Sequence, residues 1–428
     1  MQAHHAISEK LGGDGGEMSV AQYNDLLWKM APFAWDGITE KLNFQDKHPP
    51  LYFWLAHLWC LVFGFGIGSL LAMQVLLDTV LLALLAFSTR RQGVFWGFGM
   101  EAIVLCHSSF SESVVLVRHY HLLAIIALAF WQLVLSGPSP VRNLSLVAVT
   151  ALGLYTHYFF TLLALGAMGA LAATHTPLWQ HWRTGGLVAA GALVAVVAYP
   201  PAFEALFQER HFSHPSGGMA LKFALSGPLR LLLPTTVLEL AKPWMLAPAW
   251  PLCLAATAWA WYKASPGVRA ALLYGLLVYA QWCILLMLGK LPLHTFIGNR
   301  YMVGVAVVFL PAVVDLAYGY AKSMNRPWAV PCLWVAMVVV SFYQHRPLPA
   351  IDIGGKVYMA QPIWPMAALL AERMAPADTL VALPMDHLRY WQYGQPLVLP
   401  KTALRQLPKK AKKRVNKDFL MKQWVRVH

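Results

Sequence analysis

The sequence predicts an all-α, polytopic membrane protein. Three observations carry that prediction. The 428 residues are 58% hydrophobic and only 12% charged, where a soluble domain carries about 25% charged residues. Several apolar runs reach the ~20 residues needed to cross a bilayer, among them "SLLAMQVLLDTVLLALLAF" from Ser69 and "GLVAAGALVAVVAYPPAFEAL" from Gly186. The runs are continuous rather than alternating, which points to helices and away from a barrel.

In chain order, apolar segments fall at about 51–65, 67–88, 93–109, 119–136, 144–156, 158–174, 185–207, 248–264, 269–289, 301–320 and 327–343. That gives about 10–11 spanning helices. Residues 1–50 read as a polar first loop with an amphipathic stretch, "VAQYNDLLWKM". Residues 51–343 form the transmembrane domain, interrupted by a polar loop at 208–247. Residues 344–428 form a basic extramembrane tail in which "DTLVALPM" reads as a short strand between polar turns.

Charge orients the chain. The net charge is +14, and 14 of the 33 Lys and Arg lie from Arg346 onward, including "KKAKKR" at 409–414. Such a run suits water or lipid headgroups. No aromatics are interleaved to support nucleic-acid binding. The stretch 144–174, "LSLVAVTALGLYTHYFFTLLALGAMGALAAT", is too long for one untilted crossing. Read as two helices, it puts Arg90, Arg91, Arg142, Arg183, Lys263, Arg269, Lys322 and Arg326 on one face, which the positive-inside rule makes cytoplasmic. The short loops opposite hold only Arg118, Lys290 and Arg300. His157 then sits near the apex of an outer hairpin. Residues 1–50, His48, Arg118, His157, the 208–247 loop and Arg300 are expected on that same outer face.

Cys60, Cys106, Cys253, Cys283 and Cys332 all lie in apolar runs without CxxC spacing. They read as buried thiols, not a disulfide frame or metal site. The first residues, "MQAHHAISEKLGGDGGEMS", lack the apolar core of a signal peptide.

Four motifs carry candidate chemistry. In "DKHPP", Pro49 and Pro50 suit a helix's first turn, where no N–H partner is needed. They hold Asp46 and His48 at the membrane surface, either as an interfacial cap or as part of a site. In "SESVVLVRHYHLLAIIAL", Arg118 begins an apolar helix. It either snorkels to headgroups or binds a phosphate through its fork of donors. His119 and His121 are two apart, which on a helix directs them about 200° apart and disfavours joint metal ligation. In "LYTHYFF", His157 and Tyr158 sit in an apolar hairpin, where an imidazole needs a partner. In "IGNRYMVGVAVVFLP", Arg300 and Tyr301 open a late span. Asp78, Glu101 and Asp315 are intramembrane carboxylates and so candidates by default. Asp14 and Glu17 stand among glycines that let backbone approach a ligand, or else lie in a loose terminus.

Together, "DKHPPLYFWLAHLWCLVFG", "VRHYHLLAIIAL", "LYTHYFF" and "NRYMVG" resemble the GT-C superfamily of membrane glycosyltransferases. The likeness is to the bacterial branch akin to protein O-mannosyltransferases and lipid A aminoarabinose transferases. Order and spacing agree over about 300 residues; the first motif is fairly specific, and the Arg-Tyr motifs alone are weak. The resemblance implies a GT-C-like bundle in a bacterial inner membrane with its site on the extracytoplasmic face. It implies a polyprenyl-phosphate-linked sugar donor among membrane lipids, and a hydroxyl acceptor. It assigns a general base to an acid of the first outer loop, with Glu17, Asp14 and Asp46 as the catalytic candidates. Arg118, Tyr120, Arg300 and Tyr301 would hold the donor phosphate, with His48, His157 and Tyr158 lining the site. Family members carry an Asp-Glu pair after a first spanning helix. Here Glu17 matches the second acid, Gly16 takes the first acid's place, and the sequence starts inside the loop. Three readings stay open: Asp14 substitutes through a shifted backbone, an upstream helix precedes the loop, or the base is lost. The resemblance fixes no cofactor; a divalent ion on Glu17, Asp46 and His48 is chemically reasonable.

This topology predicts that a cysteine at position 48 reacts with an impermeant thiol reagent from outside. One at position 91 should react only after permeabilisation. The reverse pattern would overturn the orientation.

Overall fold

The interruption at Thr156-His157-Tyr158 splits the 144–174 stretch into two helices. The computed structural model describes residues 16–19, 49–64, 67–89, 101, 104, 110, 118–174, 178–200, 258, 261–262, 264–288, 302–323 and 325, and the strand segments 351–353, 356–358, 379–382 and 398–400. The helices are α1 (Leu51–Phe63), α2 (Ile67–Thr89), α3 (Tyr120–Leu135), α4 (Pro140–Thr156), α5 (Phe160–Thr174), α6 (Leu178–Ala198), α7 (Pro266–Met287) and α8 (Val303–Ser323). Among the described residues, three candidate spans are long and apolar enough to cross a membrane: Gly68–Ser88, His181–Ala198 and Pro266–Leu285. These and the shorter apolar helices make a helical chain of membrane type. The expected segments 93–109, 248–264 and 327–343, and the loop 208–247, lie outside the described elements.

The apolar run 51–65 gives only the 13 residues of α1, about 20 Å of helix at 1.5 Å per residue. That is short of a ~30 Å hydrocarbon core.

The chain divides into two units, residues 1–41, 57–70 and 345–428 in one, residues 42–56 and 71–344 in the other. The first unit contains an antiparallel sheet of β1 (Gly16–Ser19), β4 (Thr379–Ala382) and β5 (Val398–Pro400) in the order β1-β4-β5. β4 is the strand expected in "DTLVALPM", and β1 sets Glu17 opposite Val381. A separate hairpin pairs β2 (Ile351–Ile353) with β3 (Lys356–Tyr358). Within the same unit the Trp59 indole N–H donates to the Ser69 carbonyl at 2.7 Å.

The second unit is the helical bundle. Ser139 starts α4, its hydroxyl accepting the Arg142 N–H at 3.1 Å, with Pro140 at the first helical position. The Arg142 side chain then turns back to the end of α3. Its Nε donates to the Leu133 carbonyl at 2.9 Å and one terminal nitrogen to Val134 O at 3.5 Å. The same nitrogen reaches Thr184 Oγ1 on α6 at 3.1 Å. Carbonyls at a helix C-terminus welcome a cation, so one side chain ties three helices at this end.

α2 and α3 run parallel. Asp78 meets His121 near the start of α3, and the Gln132 amide donates to Ser88 Oγ at 3.1 Å near the ends of both helices. α4 and α6 are also parallel and pack closely. The Tyr155 hydroxyl donates to the Ala195 carbonyl at 2.7 Å, and Gly191 lies against the Val147–Thr150 turn. Close approach through small residues is how helices associate where lipid removes the hydrophobic drive. Similar contacts join α5 to α7 at Gly166 and Val278, and α8 to α3 and α5 at Gly304. The buried Tyr274 hydroxyl adds a bond from α7 to Gly304 O on α8 at 3.1 Å.

A Cβ at Gly191 would stand 2.6 Å from the Val147 carbonyl oxygen and 2.7 Å from Thr150 Cβ, whereas one at Gly186 meets nothing within 4 Å. Gly191→Ala should therefore cost about 1–3 kcal/mol through overpacking. Gly186→Ala should add about 0.5–1 kcal/mol through helix propensity. Thermal unfolding of the two variants in detergent checks the opposite signs.

Candidate functional site

Polar side chains gather where α1 and α3 begin, where α4 turns into α5, and where α6 ends. The corner between α4 and α5 is built by His157. Its backbone is extended (φ −163°, ψ 136°) and its N–H donates to Gly153 O at 3.0 Å, closing α4. Its carbonyl accepts the Phe160 N–H at 2.9 Å, and its imidazole Nδ1 accepts the Phe159 N–H at 2.9 Å, opening α5. One residue thus satisfies the orphan groups of two helix ends. A neutral ring whose Nδ1 accepts carries its proton on Nε2.

His119 precedes α3 and is fully buried. Its ring lies 4.7 Å from that of His157 at an interplanar angle of 35°. On its other flank are Tyr52 and Phe53 of α1, at centroid distances of 6.1 and 6.5 Å. Tyr120 packs 6.0 Å from His157. Trp54 meets Tyr199, just after α6, at 6.2 Å. Rings at these separations and tilts make favourable edge and offset contacts.

His121 turns away from this cluster, as a spacing of two residues on a helix requires. Its Nδ1 pairs with Asp78 Oδ1, and its Nε2 lies 3.3 Å from the Phe110 carbonyl. One turn along α2 from Asp78, the buried Gln74 carbonyl oxygen accepts from the Tyr52 hydroxyl at 3.5 Å.

Of the residues chosen from the sequence, Arg118, Tyr120, His157 and Tyr158 come to the same end of the bundle. Arg118 and Tyr158 are half-buried; Tyr120 and His157 are buried. Glu17 is described through its backbone alone, in β1. Asp14, Asp46, His48, Arg300 and Tyr301 lie outside the described residues, and with Asp46 and His48 so does the proposed cation set. Among the described residues no three His, Cys, Asp or Glu gather at metal-binding distance. The sequence reading missed Tyr52 and Gln74, kept His119 out of the site, and left Asp78 without its partner. The readable signal was the i, i+4 spacing of Gln74 and Asp78, a polar stripe on an otherwise apolar helix.

The half-buried Arg118 thus stands in sequence beside a buried, tilted pair of imidazoles flanked by aromatic rings, at the end of an apolar bundle. Such a set can bind an anionic group carried on an apolar chain. No protein-family model, curated protein or solved structure matches this chain.

His157→Leu should lower stability by about 1–3 kcal/mol, because it removes the Nδ1 acceptor of the buried Phe159 N–H. His157→Asn, whose side-chain oxygen can take the same position, should recover most of that loss. Unfolding midpoints in detergent measure both.

Proposed function

We propose that this protein is a GT-C-like glycosyltransferase of about 10–11 spanning helices in a bacterial inner membrane. It moves a sugar from a polyprenyl-phosphate donor to a hydroxyl acceptor on the extracytoplasmic face. The observation that carries this reading is the convergence of Arg118, Tyr120, His157 and Tyr158 at one end of an apolar bundle. These residues come from two of the motifs that resemble the superfamily.

In the proposed step the acceptor oxygen attacks the anomeric carbon, and the bond from that carbon to the phosphate oxygen breaks with inversion. The acceptor proton passes to a carboxylate of the first loop, Glu17, Asp14 or Asp46. The departing lipid phosphate gains negative charge, which Arg118 and Arg300 offset. The aromatic rim of Tyr52, Phe53 and Tyr120 suits the boundary between sugar and lipid. A second reading is a non-catalytic binder or flippase of lipid-linked sugars, favoured by Gly16 in the place of the first acid.

The test is sugar transfer from polyprenyl-phosphate-linked donors by protein reconstituted in liposomes. Arg118→Ala should reduce transfer about 10²–10³-fold, and Arg118→Lys should retain part of it, because a point charge replaces a planar fork. Normal turnover in Arg118→Ala removes the phosphate role. Donor binding by the wild type without any transfer selects the second reading.

A further inference from the structure

The end of the bundle opposite the histidine cluster gathers positive charge. α5 and α7 run antiparallel there: the Gln281 amide faces the Leu162 carbonyl at 3.5 Å, Val278 lies against Gly166, and Leu277 against Gly169. The start of α7, with Arg269, therefore lies toward the end of α5, from which the chain enters α6. Arg142 and Arg183 belong to the same end, because the Arg142 guanidinium holds Thr184, the residue after Arg183.

Arg142 keeps only 7% of its surface exposed. It donates to the Leu133 and Val134 carbonyls, the Asn143 side-chain oxygen and the Thr184 hydroxyl. All of these acceptors are neutral, so its charge is met by dipoles but not cancelled. Arg183 is exposed. Among the described residues no carboxylate pairs with either arginine. The two guanidinium charges lie near enough to oppose each other. Like charges held together without a counter-ion make a local field that draws an anion.

The surface beside that charge is apolar. α6 is the least buried of the three candidate spans. Val141, Leu144 and Leu152 on α4 are exposed, as are Leu193 and Val197 on α6. Both helices thus carry lipid-compatible side chains away from the arginine end. Trp182, next to Arg183, is 79% exposed. An indole in that position suits the headgroup level, where its ring meets acyl chain and its N–H meets water or a headgroup. A free anion would need only the arginines. The indole and the apolar helix faces fit an anion that carries acyl chains.

We propose that the starts of α4 and α6 form a docking site for an acidic phospholipid, with its phosphate on Arg183 in the field of Arg142 and its acyl chains along the exposed faces of α4 and α6. The site lies at the opposite end of the bundle from Arg118 and His157 and does not rest on sugar transfer. A bound headgroup offsets the repulsion between the two arginines. It therefore reinforces the joint by which Arg142 ties α3, α4 and α6.

The experiment titrates the full chain in detergent with phosphatidylglycerol or phosphatidylcholine of matched acyl chains and counts retained lipid by native mass spectrometry. The wild type should retain phosphatidylglycerol in preference to phosphatidylcholine. Arg183→Gln should cut phosphatidylglycerol retention about fivefold, the effect of one cation at a lipid surface, and leave phosphatidylcholine unchanged. Arg183→Lys should keep most of the preference. Arg269→Gln removes a charge at the same end whose Nε already donates to the Ala264 carbonyl at 3.0 Å, and it should leave retention nearly unchanged. Arg142 stays intact throughout because it joins helices. Equal retention of the two lipids by the wild type would overturn the proposal, as would an equal loss in Arg183→Gln and Arg269→Gln. Displacement of phosphatidylglycerol by excess inorganic phosphate would make the ligand a free anion and overturn the lipid as occupant.

Discussion

An apolar surrounding offers no water to polar atoms, so each one must find its partner within the protein. The geometry of the described bundle follows from that constraint. Arg142 donates to the last carbonyls of α3 and to Thr184 of α6. His157 accepts and donates across the corner between α4 and α5. His121 lies between the Asp78 carboxyl and the Phe110 carbonyl. In each case a side chain that would be costly to bury becomes a joint between elements.

The joints fall at opposite ends. Arg142 fixes α3, α4 and α6 at one end, and the His119–His157 contact joins α3 to the α4–α5 corner at the other. Between them the helices touch through small residues and aromatic rings, such as Gly304 against Leu163 and Phe130 against Phe160. A bundle pinned at both ends holds its terminal residues in register, and the terminal residues here include the candidate site.

Much of the helical layout was legible because it depends on local pattern. The Thr-His-Tyr break in 144–174 gave two helices, and Arg118 stands just ahead of a helix that starts at Tyr120. The tail strand at 379–382 was likewise marked by its flanking turns. The run at 51–65 forms α1, which ends at Phe63, just before Gly64, whose φ is +87°. The site was only half legible. His157 could be chosen from its apolar setting, but its stacking on His119 spans 38 positions of sequence and leaves no local trace. Likewise, nothing local to α2 marks His121 as the partner of Asp78.

The bundle's short helices have a further consequence. α3, α4 and α5 contain 16, 17 and 15 residues, or about 22–26 Å at 1.5 Å per residue. A hydrocarbon slab of ~30 Å is thicker than any of them. Placed in a bilayer, helices this short would draw the lipid toward their length, at a cost of a fraction of a kcal/mol per Å. The same thinning would bring the headgroup plane toward the helix ends that carry His119 and His157.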